Sequence, residues 1–210
     1  MNKVFDYLKE IFNENGYRLY MIGSASRDFL LHREIKDYDF VTDATPDETL
    51  KFINADTHFK KYGVLKLKVM GVTIDLATLR EENDYLDYRH PSYIKFVNDI
   101  NIDYKRRDFT INAIYINENY EIEEISKKGY QDLLNKRLVF IGDPLKRIKE
   151  DPLRILRAYR FKKEYNLVAD DETMRTLKEN YSLIESLNKK KVEEEYKKFK
   201  SIKENDDVKQ

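Results

Sequence analysis

The chain has no cysteine and only 3 histidines among its 210 residues. The first absence excludes disulfide frameworks, thiol nucleophiles and thiolate zinc sites. The second leaves little for a histidine-built metal centre, so any metal here should sit on carboxylate oxygens. Long apolar runs are missing as well. No stretch approaches the roughly 20 apolar residues of a membrane span, and Met1-Asn2-Lys3-Val4-Phe5-Asp6 lacks an apolar signal core. These features point to a cytoplasmic protein with no membrane partner. Charge of one sign is not in excess, since Lys+Arg 39 balance Asp+Glu 39. Global charge therefore predicts neither nucleic-acid binding nor its absence, although Lys189-Lys190-Lys191 and Lys197-Lys198 make the C-terminal stretch basic. What is present suffices for a core. A hydrophobic content of 41% with 13% aromatic residues argues against disorder despite 37% charged residues. The length suits one large domain, or one domain with a small appendage.

Apolar periodicity organises the chain. Val4, Phe5, Leu8, Ile11 and Phe12 recur at helical spacing before the stop Asn13-Glu14-Asn15-Gly16. Tyr17 to Ile22 reads as a buried strand, and Gly23-Ser24-Ala25-Ser26 as a tight turn opening a helix. Lys36 to Val41 alternates as a strand with one buried face, which puts Asp37 and Asp39 on one side. Thr45-Pro46-Asp47-Glu48 is a capping-box pattern with proline at the first helical position. Val64–Met70 and Val72–Leu79 read as a hairpin turning near Gly71, with Asp75 inside an otherwise apolar strand. Glu81 to Pro91 is charged and punctuated, the pattern of a mobile surface loop. Phe109 to Asn117 is compatible with helix or strand, Leu138 to Ile141 with a short strand, and everything from Pro144 onward with helices. An α/β part to about residue 140 and a helical part beyond it follow, ending in a fraying tail from Glu204.

Two carboxylates on one strand face and a third on a second strand are what divalent cations need from oxygen ligands. Two such ions activate a hydroxyl nucleophile and neutralise a leaving pyrophosphate. An alternating Asp pair by itself also describes the solvated face of an edge strand. The preceding turn adds a second signal: Gly23 and Ser24 let backbone N–H groups approach a phosphate at a helix N-terminus, with Arg27 one turn in. Together they favour nucleotide chemistry. Further on, Asp151, Arg154, Arg157 and Arg160 recur every three residues, which predicts a polar row along one helix. Such a row offers acceptors and donors to a base edge, or forms ordinary surface ion pairs.

Four segments in order carry a resemblance: Gly23-Ser24-Ala25-Ser26-Arg27-Asp28, Lys36-Asp37-Tyr38-Asp39, Arg106-Arg107-Asp108-Phe109-Thr110-Ile111-Asn112-Ala113, and Glu150-Asp151-Pro152-Leu153-Arg154-Ile155-Leu156-Arg157-Ala158-Tyr159-Arg160-Phe161. The chain resembles the head and neck portion of the class II tRNA nucleotidyltransferases (CCA-adding enzymes) and bacterial poly(A) polymerases. The likeness runs from about Tyr17 to Phe161 and more faintly to about Phe199. It implies an α+β fold of the DNA polymerase beta-like superfamily. A catalytic head over residues 1–140, with a mixed β-sheet and flanking helices, would be followed by an all-α neck over 141–210.

The resemblance also implies residue roles. Asp37 and Asp39 would bind Mg²⁺, and Asp75 would complete the catalytic triad. Gly23, Ser24 and Arg27 would contact the triphosphate; Arg107, Asp108 and Asn112 would manage triphosphate and ribose. Asp151 and Arg154 would form the pair that reads C or A, with Arg157 and Arg160 completing the nucleotide site. Tyr85 to Pro91 matches the family's mobile loop. The expected partners are CTP, ATP and an RNA 3′ end, that of tRNA, and the expected reaction is CCA addition. Poly(A) synthesis and CC-only or A-only addition share every segment quoted. A catalytically silent RNA-binding module, and a transferase acting on a protein or small-molecule hydroxyl, are the readings from other classes.

The sequence departs from the family pattern in three places. Ser24 replaces the second glycine of the phosphate turn and Ser26 a valine. Lys189-Lys190-Lys191-Val192-Glu193-Glu194-Glu195 stands where relatives have Ser-x-Glu-Arg-Ile at the start of a supporting helix, so Lys190 reverses the expected charge. Relatives of this kind carry further body and tail helices, which these 210 residues are not expected to supply.

Overall fold

A computed structural model describes residues 2–85 and 91–202. The chain opens with α1 (Lys3–Glu14), whose N-terminus is capped by Asn2 Oδ1 accepting the Phe5 N–H at 3.0 Å. Its apolar stripe, Val4, Phe5, Leu8 and Phe12, is fully or nearly buried against a four-stranded sheet. The sheet comprises β1 (Leu19–Met21), β2 (Tyr38–Thr42), β3 (Val64–Val69) and β4 (Val72–Thr78) in the order β1-β2-β4-β3. β1 runs antiparallel to β2, β2 parallel to β4, and β4 antiparallel to β3. The sheet is therefore mixed.

Between β1 and β2 lies α2 (Gly23–Leu30), and after β2 comes the short α3 (Pro46–Thr49). The predicted capping box is present: Thr45 Oγ1 accepts the Glu48 N–H, and Glu48 Oε2 accepts the Thr45 N–H at 2.8 Å. The helix nevertheless lasts only four residues. The β3–β4 hairpin turns at Met70 and Gly71, both at positive φ (49° and 80°), the pairing that a tight two-residue turn requires.

The segment after β4 differs from the expected loop. β5 (Arg80–Tyr85) pairs antiparallel with β6 (Pro91–Phe96) in a separate two-stranded sheet. Its charges suggested a solvated loop, but Arg80 and Glu82 are ion-paired at 2.6 Å with little side-chain exposure, so a charge run here builds a ladder. Residues 86–90, within the family's mobile-loop segment, lie outside the described residues. α4 (Ile100–Arg106) follows, capped by Asp99.

Phe109 to Asn117 is neither helix nor strand. A 3-10 turn at Thr110–Asn112 leads into extended chain that bridges Met21 through Ile116. Leu138 to Ile141 likewise forms no full strand, only an isolated bridge between Phe140 and Phe109. Both segments are apolar because the core surrounds them, not because they join the ladder.

The remaining elements are helical: α5 (Lys127–Leu134), α6 (Pro144–Glu150), α7 (Leu153–Glu164), α8 (Asp171–Glu179) and α9 (Lys189–Ser201). Among the described residues, no helix is long and apolar enough to cross a membrane. One apolar cluster joins both halves of the chain. Phe109 sits 4.6 Å from Phe140 and 5.9 Å from Phe161 of α7, ring to ring, beside Ile155 and Ala158.

α5 packs tightly on the 3-10 turn at Gly129, where an added Cβ would stand 2.2 Å from the Thr110 carbonyl oxygen. That neighbour is backbone and cannot swing away. Gly129→Ala should destabilise the protein by about 1–3 kcal/mol, read as a lower denaturant midpoint at unchanged slope. An unchanged midpoint would contradict this packing.

Candidate active site

Strand alternation sets the site. On β2 and the residue before it, Asp37, Asp39 and Val41 share a face; on β4 and the residue after it, Asp75, Ala77 and Leu79 share one. The parallel register places Asp39 beside Asp75 and Val41 beside Ala77. Val41 and Leu79 are buried under Ile141, Ala113 and Tyr115, while the aspartates lie where that cover stops. An open cleft of about 770 Å³ begins there. It holds the three aspartates together with Gly23, Ser24, Arg27, Arg107, Asp108, Asn112, Arg157 and Arg160.

Gly23 opens α2 at φ +64°, and a Cβ there would stand 2.8 Å from Asp39 Oδ2. Only glycine permits this approach. Ser24 uses it: its N–H and Oγ–H both donate to Asp39 Oδ2, at 3.2 and 2.6 Å. Asp75 accepts from Lys66 Nζ of β3 at 2.5 Å. Asp39 and Asp75 are thus each turned to a neighbour, and no group of three or more potential metal ligands converges among the described residues. The donor set nevertheless suits a hard cation: carboxylate oxygens on one face, with no cysteine in the chain.

A buried polar chain crosses the cleft. Arg27, 3% exposed, donates to Asn112 Oδ1; Asn112 Nδ2 donates to Asp108 Oδ1 at 2.8 Å; Arg157 Nε donates to Asp108 Oδ2 at 2.7 Å. Arg27 Nε is buried without a hydrogen-bond partner. The guanidinium lies 5.0 Å from the ring centres of Phe161 and Tyr165. Burial opposes ionisation of Asp108, but Arg157, the Asn112 amide and Arg154 outweigh it and hold the carboxyl well below the usual range. Burial likewise works against charge on Arg157, and Asp108 more than restores it.

Behind Arg107 stands Asp103, a residue the sequence reading did not single out. Its fully buried carboxylate accepts from the Arg80 N–H at 3.0 Å, Arg106 Nε at 2.8 Å, Arg107 Nε at 2.9 Å and the Tyr115 hydroxyl at 2.6 Å. Burial alone would raise its pKa, yet Arg106 and Arg107 pull it well below the ordinary value. Arg107 and Tyr115 are both pushed up: burial disfavours the charged form of each, and Asp103 stabilises the guanidinium against it. The i, i+4 spacing of Asp103 and Arg107 was the available signal.

The expected polar row is divided. Asp151 is not on α7 but at the junction after α6, where its Oδ1 accepts the Leu153 N–H at 3.0 Å. Pro152 separates the two helices, so Arg154, Arg157 and Arg160 keep the three-residue spacing on α7 while Asp151 falls outside it. Arg154, 5% exposed, bonds the Arg147 carbonyl at 2.6 Å and Glu150 at 3.0 Å, and neither it nor Asp151 lines the cleft. Arg160 does line it, held by Glu195 of α9 and by Glu164 at 2.9 Å. Glu195 is buried, so α9 braces α7 through Glu195 despite the reversed charge at Lys190. No local pattern could reveal a partner 35 residues away.

Residues 19–139 match the family model described as the poly A polymerase head domain. The chain belongs to this family. A CCA-adding enzyme of Staphylococcus epidermidis is 35% identical over 193 residues, covering 91% of this chain and 48% of the relative. The crystal structure of Bacillus stearothermophilus CCA-adding enzyme in complex with CTP superposes with a TM-score of 0.84 at 27% identity, covering 95% of this chain and 49% of that one. A tRNA nucleotidyltransferase complexed with a primer tRNA and an incoming ATP analog gives a TM-score of 0.72 at 30% identity, covering 91% and 57%. The chain spans about half the length of the curated relatives it matches. The mixed sheet with flanking helices is thus the head fold of this family.

The buried Asp103 gives this protein an acid limit. Its folded pKa lies below its unfolded value of about 3.9, so its contribution is complete above that pH and is lost as pH falls below it. Asp103→Asn should cost about 3–5 kcal/mol at neutral pH by stranding Arg106 and Arg107. It should also flatten the decline in stability below about pH 4, and unfolding curves at pH 7 and 3 test both. Equal acid sensitivity of variant and parent would contradict the assignment.

Proposed function

We propose that this chain is a template-independent RNA nucleotidyltransferase that adds CMP and AMP, from CTP and ATP, to the 3′ end of tRNA. Residues 1–140 form its catalytic head and 141–210 its helical neck. The observation that carries this reading is the register of β2 on β4, which sets Asp39 beside Asp75 in the cleft that also holds Arg27, Asp108 and Arg157. The names of the relatives support the same reading.

In this reading, the first turn of α2 and the forked donors of Arg27 and Arg157 hold the triphosphate. Asn112 and Asp108 offer an amide and a carboxylate to ribose hydroxyls. Asp75, released from Lys66, accepts the hydrogen of the attacking 3′-hydroxyl and orients it. A bond forms between that 3′-oxygen and the α-phosphorus, the bond from the α-phosphorus to its bridging oxygen breaks, and pyrophosphate leaves. Asp37 and Asp39 would hold Mg²⁺, which neutralises charge on the triphosphate when bound. Asp151 and Arg154 read the base edge by turning from their present contacts. For Arg154 that turn gives up buried hydrogen bonds to backbone carbonyls, so a base is accepted only where it replaces them.

Asp37→Ala and Asp39→Ala should each abolish transfer while leaving the unfolding midpoint nearly unchanged, because neither side chain is in the core. The assay supplies Mg²⁺, each labelled NTP singly and in mixture, and a tRNA transcript ending before C-C-A, with products resolved at one-nucleotide steps. Termination after C, C and A supports CCA addition. Long A tails would establish poly(A) synthesis instead, transfer without RNA would mean another acceptor, and no incorporation on any RNA would favour a silent module.

A further inference from the structure

The catalytic cleft accounts for the nucleotide but not for how the RNA strand approaches it. A second groove of about 980 Å³ lies between α4 with the start of β5 on one side and α6 on the other. Arg106 lines both this groove and the cleft, so the two adjoin at that side chain. The groove's buried charges satisfy one another: Glu82 takes Arg106 at 3.2 Å, and Glu150 takes both Arg147 and Arg154. Asp143 is occupied as the cap of α6, accepting the Lys146 N–H at 2.7 Å.

What remains is a set of exposed lysines. Lys105 on α4 and Lys146 and Lys149 on α6 line the groove, and none of their ammonium groups is in an ion pair or donates a hydrogen bond among the described residues. Lys146 and Lys149 are three apart on one helix face, opposite Lys105. Glu81 is the one groove carboxylate, among the described residues, in neither an ion pair nor a cap. Once the internal pairs are set aside, three ammonium groups face the carboxylates of Glu81 and Asp143, which leaves the walls with a net positive charge beside the cleft that holds the three aspartates. A phosphodiester backbone has the complementary charge and the required length.

We propose that the groove between α4 and α6 is the track along which the RNA strand reaches the cleft, with Lys105, Lys146 and Lys149 neutralising its phosphates. The proposal rests on the reading that the acceptor is an RNA 3′ end. It adds a location, a set of contacts and a salt dependence. The three lysines confer affinity and register but no base choice, since an ammonium facing a phosphate carries no sequence information.

The test compares the full chain with its Lys105→Ala/Lys146→Ala/Lys149→Ala variant. Binding of a labelled RNA hairpin with a single-stranded 3′ end is measured across a salt series, with CTP binding measured separately. All three side chains are exposed and unpaired, so the variant should fold. RNA binding should weaken at least about tenfold. The slope of log affinity against log salt should fall by about 2, at about 0.7 per single-strand phosphate no longer neutralised, with CTP binding unchanged. Parental RNA affinity and slope in the variant would overturn the track while leaving the proposed reaction standing. A parent chain that binds CTP but no RNA would overturn both. Binding of a polyglutamate peptide in place of RNA, lost in the variant, would reassign the groove to an acidic protein partner and overturn the proposal.

Discussion

Everything at the cleft depends on one constraint, the parallel register of β2 against β4. Strand side chains alternate, so a slip of one residue would send Asp39 to the face packed under α1 and bring Phe40 to the cleft. The hydrophobic partition forbids that slip, because Phe40, Ile74 and Leu76 belong to the core below the sheet and Val41 and Leu79 to the cluster above it. Burying apolar area at about 25 cal/mol per Å² locks the register. The carboxylates are carried along with it. Their placement along the strands follows from core packing, and the bonds to Ser24 and Lys66 then orient the carboxylates of Asp39 and Asp75.

Around that fixed edge the protein arranges cations in two ways. Arg27, Arg107 and Arg157 are each tied to a buried partner, which holds the guanidinium in place at the cost of some freedom. Lys66, by contrast, is half exposed and rests on Asp75 in a pair that water can screen. Deeply held arginines suit a site that must present a constant charge. An exposed lysine on the third carboxylate suits a group that must be released on demand.

Much of this was legible in the sequence. Alternation located Asp37 and Asp39, the capping box located the start of α3, and glycine with a small neighbour located the turn at Gly23. Legibility failed where a residue's environment is set by distant chain. The charged stretch from Glu81 reads as a loop, whereas it continues a strand that is anchored at Arg80, whose N–H donates to the buried Asp103. Glu195 looks like one of several surface glutamates until α9 lies against α7. Asp151 and Arg154 keep the spacing of a helical row, yet Pro152 leaves Asp151 at the joint between two helices, and the carbonyls of Arg147 and Arg106 turn Arg154 away from the cleft.

The ring of Phe109, enclosed by Phe140 from one side and Phe161 of α7 from the other, bears on how the molecule comes apart. A chain severed near residue 140 would leave that ring facing water, along with much of the surface that Ile155 and Ala158 cover. The α/β part and the helices behind it should therefore melt together as one cooperative body, although one mixes strands with helices and the other is entirely helical.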